Sequence, residues 1–323
     1  MADRITSRFG KFTPALDVVE GVDLSGRNAI VTGSSSGIGV ETARALAHAG
    51  AAVTLAVRDL AAGERVAADI RSGGGGPVTV ERLDLAEFAA IRAFAERWGD
   101  KPLHVLVNNA GVMASPLMHT ADGLELQLGV CHFGHFLLTV LLAPNLVAAA
   151  EPGRAARVVN VSSLGHRFGG IDFDDPHFEH RPYDKWKAYG QAKTANVLFT
   201  VGLEKRLGSR GVHALALMPG GIMTPLQRHL PREEMIAFGW IDETGKVADG
   251  FKTPEQGAST SVWAAVGPEL EGVGGLYLED LHEAAPYVPA KPREGVMAHA
   301  LDAEDAERLW ALSVKTTGAD LTV

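Results

Sequence analysis

A chain of 323 residues, 46% hydrophobic and 21% charged, has the composition of a folded globular protein with a large core. Its formal charge of −9 excludes a surface built for nucleic acid, because phosphate binding needs a basic face. A single cysteine, Cys131, excludes an intramolecular disulfide and a cysteine zinc cluster and fits a reducing cytoplasm.

The first ten residues lack a continuous apolar run, so no secretory signal is expected. Apolar runs then recur at 29–31, 53–57, 78–83, 105–107, 158–161 and 213–218, separated by helical patterns. That alternation predicts an α/β fold, a single doubly wound parallel sheet with helices on both faces. Right-handed crossovers put the loops after these strands on one edge, where such sheets bind ligands.

The first run enters Asn28-Ala-Ile-Val-Thr-Gly-Ser-Ser-Ser-Gly-Ile-Gly39. Glycines at Gly33, Gly37 and Gly39 allow a tight turn and close approach to a pyrophosphate, and a helix opening near Ile38 offers free N–H groups. Gly33, Ser35, Ser36, Gly37, Ile38 and Gly39 are therefore the expected dinucleotide cradle. Arg58 ends the second run, where an acidic residue would bond the ribose of NAD and an arginine can pair with a 2′-phosphate. This favours NADP over NAD. Asp59 pulls the other way if it contacts the ribose, and is neutral if it caps the next helix. The glycine run 72–77 reads as a flexible connection.

Asp84 and Leu85 end the third run, and Asn109, Ala110 and Gly111 follow the fourth; both sets should face the cofactor. The apolar stretch 136–150 is too short to span a membrane and is interrupted by Thr139, Pro144 and Asn145, so a buried helix is expected. His132 and His135 lack the companions of a metal site and read as packing residues.

Tyr183-x-x-x-Lys187 and Tyr189-x-x-x-Lys193 both place a phenol and an ammonium on one helix face. A nearby cation favours phenolate, which suits a general acid/base. The second pair is flanked by small residues and runs into a helix able to pack on the sheet; the first follows Pro182. Insertions at 167–187 and 227–252 carry Phe168, Phe173, Phe178, Tyr183, Trp186, Phe238 and Trp240, with Met223, Leu226 and Met235 nearby. These side chains either line an apolar pocket or pin the insertions to the body. A helix opening near Pro254, a short run at 275–278, a proline-punctuated loop and a last helix from about Asp302 complete the chain. One domain over 1–323 is expected, with a core at 25–225, a lid at 226–253 and a C-terminal extension at 279–323.

The ordered set Thr32-Gly-x-x-x-Gly-Ile-Gly39, Asp84-Leu85, Asn108-Asn-Ala-Gly111, Val159-Asn-Val-Ser-Ser163, Tyr189-x-x-x-Lys193 and Pro219-Gly-x-Ile-x-Thr224 resembles the short-chain dehydrogenase/reductases. Phe133-Gly-His-Phe-Leu-Leu-Thr139 is similar to the retinol-dehydrogenase-like and WW-domain-oxidoreductase-like branch. The resemblance implies hydride transfer between a nicotinamide and an alcohol or carbonyl carbon. It gives Tyr189 the proton, Lys193 the nicotinamide ribose and a lowering of the tyrosine pKa, and Ser163, rather than Ser162, the reacting oxygen. It adds Pro219, Gly220, Ile222 and Thr224 to the cofactor site, and dimers or tetramers as common assemblies. Cys131 stands where the family usually has an asparagine that helps hold a proton-relaying water. A lipophilic or aromatic small-molecule substrate is expected, without a nucleic-acid or membrane partner. The alternative is a sensor or scaffold that binds NADP with little turnover.

Overall fold

The computed structural model describes residues 4–323. Its strands are β1 (Asn28–Thr32), β2 (Ala52–Val57), β3 (Val78–Arg82), β4 (Val105–Asn108), β5 (Ala156–Val161), β6 (Val212–Met218), β7 (Leu276–Glu279) and β8 (His282–Glu283). They form one sheet in the order β3-β2-β1-β4-β5-β6-β7-β8. The reversal of chain progress between β1 and β4 opens a crevice at the carboxyl ends of the strands. All pairings are parallel except β7 with β8, where Leu278 faces Glu283. The expected doubly wound parallel sheet is thus present, with one antiparallel strand added at its edge, where a turn through Asp280 and Leu281, both with positive φ, folds the chain straight back.

β-branched and leucine residues fill the central strands, which are buried on both faces. One face packs on α1 (Ala15–Val18), α2 (Ile38–His48), α3 (Leu60–Ser72) and α9 (Pro254–Val266), through Leu46, Ile70 and Trp263. The other packs on α4 (Phe88–Trp98), α6 (Gly134–Ala149), α7 (Lys185–Leu207) and α10 (Ala303–Thr317). Trp310 of α10 meets Phe136 at 5.0 Å and Phe199 at 6.0 Å between ring centroids. Asp302 starts α10 by accepting the Glu304 and Asp305 N–H groups, the capping expected of an aspartate there.

The apolar helix begins earlier than its sequence suggests. α5 (Leu126–Leu128), a π-turn at Gly129–Phe133 and α6 run on as one helical segment of 24 residues, long and apolar enough to cross a membrane. Its most apolar window is 89% buried inside the protein. The estimate of a too-short stretch is corrected: Pro144 lies inside the helix without ending it. α8 (Arg232–Ala237) lies in the insertion at 227–252, after a 3₁₀ turn at Pro225–His229 whose Thr224 and Gln227 form a reciprocal capping box.

Candidate functional site

The crevice opens into a cleft of about 790 Å³ lined by Gly33, Ser35, Ser36, Gly37, Ile38, Gly39, Arg58, Asp84, Leu85, Asn109, Ala110, Gly111, Ser163, Tyr189, Lys193, Pro219, Gly220, Ile222 and Thr224. The motif residues thus meet in one place, on loops after β1, β2, β3, β4, β5 and β6 and on α7. The cradle is tightly built. Gly33 has φ +66°, and a Cβ there would lie 2.7 Å from the Ala110 Cα. The Thr32 hydroxyl accepts the Asn109 and Ala110 N–H groups at 2.9 and 3.0 Å, and the Asn109 amide donates to the Thr32 carbonyl at 2.8 Å. Asn109 therefore fastens the glycine loop to the end of β4 with its side chain.

At the β2 end, Asp59 caps α3 by accepting the Ala62 N–H at 3.0 Å. That is the capping role open to it in the sequence, with its Oδ1 engaged. Arg58 is exposed, lines the cleft and has no carboxylate partner among the described residues. Arg228, in the 3₁₀ turn at Pro225–His229, lines the same cleft, bonded to the Pro225 carbonyl at 3.1 Å. Burial lowers its pKa first, and the charge of Arg58 second. Two cations facing one cavity suit an anionic ligand. Nothing in the local sequence marked Arg228, because the fold alone brings it to the cleft that Arg58 lines.

Tyr189 lies in the first turns of α7, with Lys193 one turn on and its Nζ 5.7 Å from the phenol ring centroid. Lys193 donates to the Val161 carbonyl at 3.0 Å, while Ser162 turns away and donates to the Lys193 carbonyl at 2.8 Å. Ser163 takes the opposite direction, its hydroxyl oxygen accepting the Gly165 N–H at 3.0 Å on the side of the Tyr189 phenol. Gly165, which no motif in the sequence singles out, makes room for that ring: a Cβ would lie 2.6 Å from Tyr189 Cε1. Its position two residues after Ser163 is the only sequence signal it carries. Burial raises the Tyr189 pKa, against the lowering by Lys193 and Ser163. The expectation of a net depressed phenol is corrected for the protein by itself: the cation acts in the expected direction, but desolvation of the fully enclosed hydroxyl is larger.

Tyr183 does different work. Its hydroxyl accepts from Gln127 Nε2 at 2.8 Å and faces Glu125 Oε1 at 3.2 Å, and burial pushes its pKa up to about 12. Gln127 in turn accepts the Ala114 N–H at 2.8 Å. This pair ties the insertion to α5. Among the aromatics, Trp186 is the hub, with Phe168, Tyr189, Phe238 and Trp240 at 5.8, 6.3, 5.3 and 6.2 Å. Phe173 and Phe178 lie apart, under Arg308 and Arg181, and only hold the insertion down.

Cys131 sits in the π-turn, fully buried, with Sγ 3.5 Å from the Val112 N and 3.6 Å from its carbonyl. Its own carbonyl accepts from His135 Nδ1 at 3.0 Å. His132 meets Ser313 at 2.7 Å, and no cluster of three metal-ligating side chains occurs among the described residues.

The family model described as short chain dehydrogenase matches residues 27–235. A "Probable oxidoreductase" of Streptomyces lividans is 48% identical over 92% of this chain and 100% of its own. Human "Retinol dehydrogenase 12" is 42% identical over 92% of this chain and 88% of its own. The solved "RhlG/NADP active-site complex" of Pseudomonas aeruginosa superposes with a TM-score of 0.63, at 25% identity, over 83% of this chain and 97% of that one. With the glycine cradle, the serine and the tyrosine–lysine pair meeting in one cleft, these matches show that the chain belongs to the short-chain dehydrogenase/reductase family of oxidoreductases, in its retinol-dehydrogenase-like branch.

Proposed function

We propose that this protein moves a hydride between NADP and the carbon of a bulky apolar alcohol or carbonyl compound, with the whole chain acting as one catalytic domain. The observation that carries the reading is the meeting of Ser163, Tyr189 and Lys193 in the cleft whose rim is the glycine cradle. When bound, the nicotinamide supplies or accepts the hydride. Tyr189 moves the proton at its phenol oxygen, and the Ser163 hydroxyl donates to the reacting oxygen, where negative charge grows during carbonyl reduction. Lys193, held by the Val161 carbonyl at 3.0 Å, bonds the nicotinamide ribose and favours phenolate. Gly33, Ser35, Ser36, Gly37, Ile38 and Gly39 hold the pyrophosphate, and Arg58 pairs with the 2′-phosphate. Asp84, Leu85, Asn109, Ala110 and Gly111 wall the crevice, and Pro219, Gly220, Ile222 and Thr224 close its β6 side.

The apolar substrate class is supported by the cluster around Tyr189, formed by Met113, Leu230, Trp186, Leu226, Met235 and Trp240. A relative that is named a retinol dehydrogenase points the same way. The test is consumption of NADPH and NADH against a panel of aromatic and long aliphatic aldehydes and ketones, and the reverse reaction with the alcohols. Turnover with NADPH and the larger apolar compounds is expected. Cofactor binding without turnover on any of them would leave a binding protein, and preference for NADH would overturn the choice of NADP.

A further inference from the structure

We infer that His166 is a positioning residue through which the C-terminal segment holds Ser163 in place, an inference that rests on the role proposed for Ser163. The imidazole is completely buried, three residues past the serine, in the 3₁₀ turn Leu164–Phe168. On one side its Nδ1 meets the Ser163 carbonyl at 2.7 Å; on the other its Nε2 meets the Met297 amide nitrogen at 3.1 Å. A carbonyl only accepts and an amide N–H only donates, so Nδ1 carries the proton and Nε2 the lone pair. Burial supports this neutral form by lowering the pKa to about 4. The ring is a rigid bridge between two backbones 134 residues apart.

The Ser163 carbonyl is clamped further by the His166 N–H at 3.2 Å and the Tyr277 hydroxyl at 3.2 Å. Fixing this peptide plane fixes the direction of the preceding Cα–Cβ bond, and the Gly165 N–H of the same turn, donating to the Ser163 hydroxyl at 3.0 Å, holds its rotamer. The segment that reaches His166 is itself secured. Buried Glu279 accepts the Gly295 N–H at 2.8 and 3.0 Å. Arg167 donates to the carbonyls of Pro292 and Gly295 and lies 4.7 Å from the Tyr287 ring centroid. His299 donates to the His166 carbonyl at 3.0 Å. Adjacent residues, His166 and Arg167, thus grip one distant strap. Packing alone would need none of these directed bonds to the turn that carries the serine.

The experiment measures turnover, NADPH affinity and melting temperature for His166→Ala, His166→Asn and Met297→Pro, each also in a Ser163→Ala background. Met297 has φ −74°, which proline adopts, so that change removes the amide donor without straining φ and puts the proline Cδ where the hydrogen was, displacing the ring from its anchor. His166→Ala should lower kcat by about tenfold or more in the native background and by less than about twofold over the residual activity of Ser163→Ala, since it acts only through that serine. NADPH affinity should stay unchanged. His166→Asn, which keeps a donor near the Nδ1 position, should recover most of kcat, and Met297→Pro, which displaces the ring, should lower it by a factor that also vanishes without the serine. Unchanged kcat in folded His166→Ala, or an equal loss in both backgrounds, would overturn the inference. Should His166→Ala not fold, Met297→Pro decides, unaltered kcat there being the contrary result. Full activity of Ser163→Ala would instead sink the catalytic reading itself.

Discussion

Two tyrosines with the same spacing to a lysine end in different environments, and that difference predicts their variants. Tyr189→Phe removes the proposed proton carrier and should cut kcat by about two to four orders of magnitude, the range for losing general acid/base catalysis, with NADPH affinity unchanged. Tyr183→Phe loses bonds to Gln127 and Glu125 and should lower thermal stability while kcat on the folded enzyme stays near native. Steady-state kinetics of the two variants separate them; the reverse pattern would reassign the acid/base. Arg58 is the second such residue. Its guanidinium has no carboxylate to satisfy, so Arg58→Ala should weaken NADPH by about 10- to 100-fold, the loss of one charged hydrogen bond at about 1.5–3 kcal/mol, and leave NADH unchanged. Fluorescence titration with both cofactors reads this directly. The spacing of Tyr189 and Lys193 was legible because one helical turn joins them, whereas the free state of Arg58 depended on Asp59 turning to cap α3.

At the scale of elements, the π-turn at Gly129–Phe133 widens the helix where it passes Gly111 and Val112 and brings Cys131 Sγ to the Val112 backbone. An asparagine amide could make the same two bonds more strongly, so Cys131→Asn should preserve or raise turnover and Cys131→Ser should stay within about tenfold, or 1.4 kcal/mol of barrier. Loss of activity in both, measured as kcat, would give the thiol a part in the chemistry. α10 is the other informative element. Trp310 is 4% exposed and sits against Phe136, Phe199 and the Arg206 guanidinium, 4.0 Å from the ring centroid. Trp310→Ala should cost about 3–5 kcal/mol in urea unfolding, as for other buried aromatics, whereas less than about 1 kcal/mol would make α10 an accessory rather than part of the core. Its amphipathic pattern showed a helix, but not that it covers α6 and α7.

For the whole molecule, burial leaves three histidines neutral, His132 at about 3 and His135 at about 4 on one helical segment and His166 at about 4 in the turn after β5. The unfolded chain protonates them below about 6.5 while the folded one does not, so stability is full above that value and is lost as pH falls toward about 4. The urea midpoint should therefore drop between pH 7.5 and pH 5. Glu125 and Glu279, pushed up by burial, act with the opposite sign, so the histidine part is read as the flatter pH dependence of His132→Gln. An identical slope in that variant would contradict it.

The α/β class, the strand sequence and the family were readable from the chain alone, because they rest on local periodicity and on motifs only a few residues long, such as Thr32 to Gly39 and Tyr189 to Lys193. Each motif ends a strand or opens a helix, and a parallel sheet necessarily gathers strand ends on one edge. What lay outside that reach depends on contacts between residues far apart in sequence. The antiparallel edge at β8, the division of the aromatics between cleft mouth and insertion anchor, the approach of Arg228 to the cofactor crevice and the bridge from Met297 through His166 to Ser163 have no local pattern. They arise where insertions and the C-terminal segment settle on the finished sheet, and there burial, not spacing, sets partners, directions and the protonation of groups such as Tyr189.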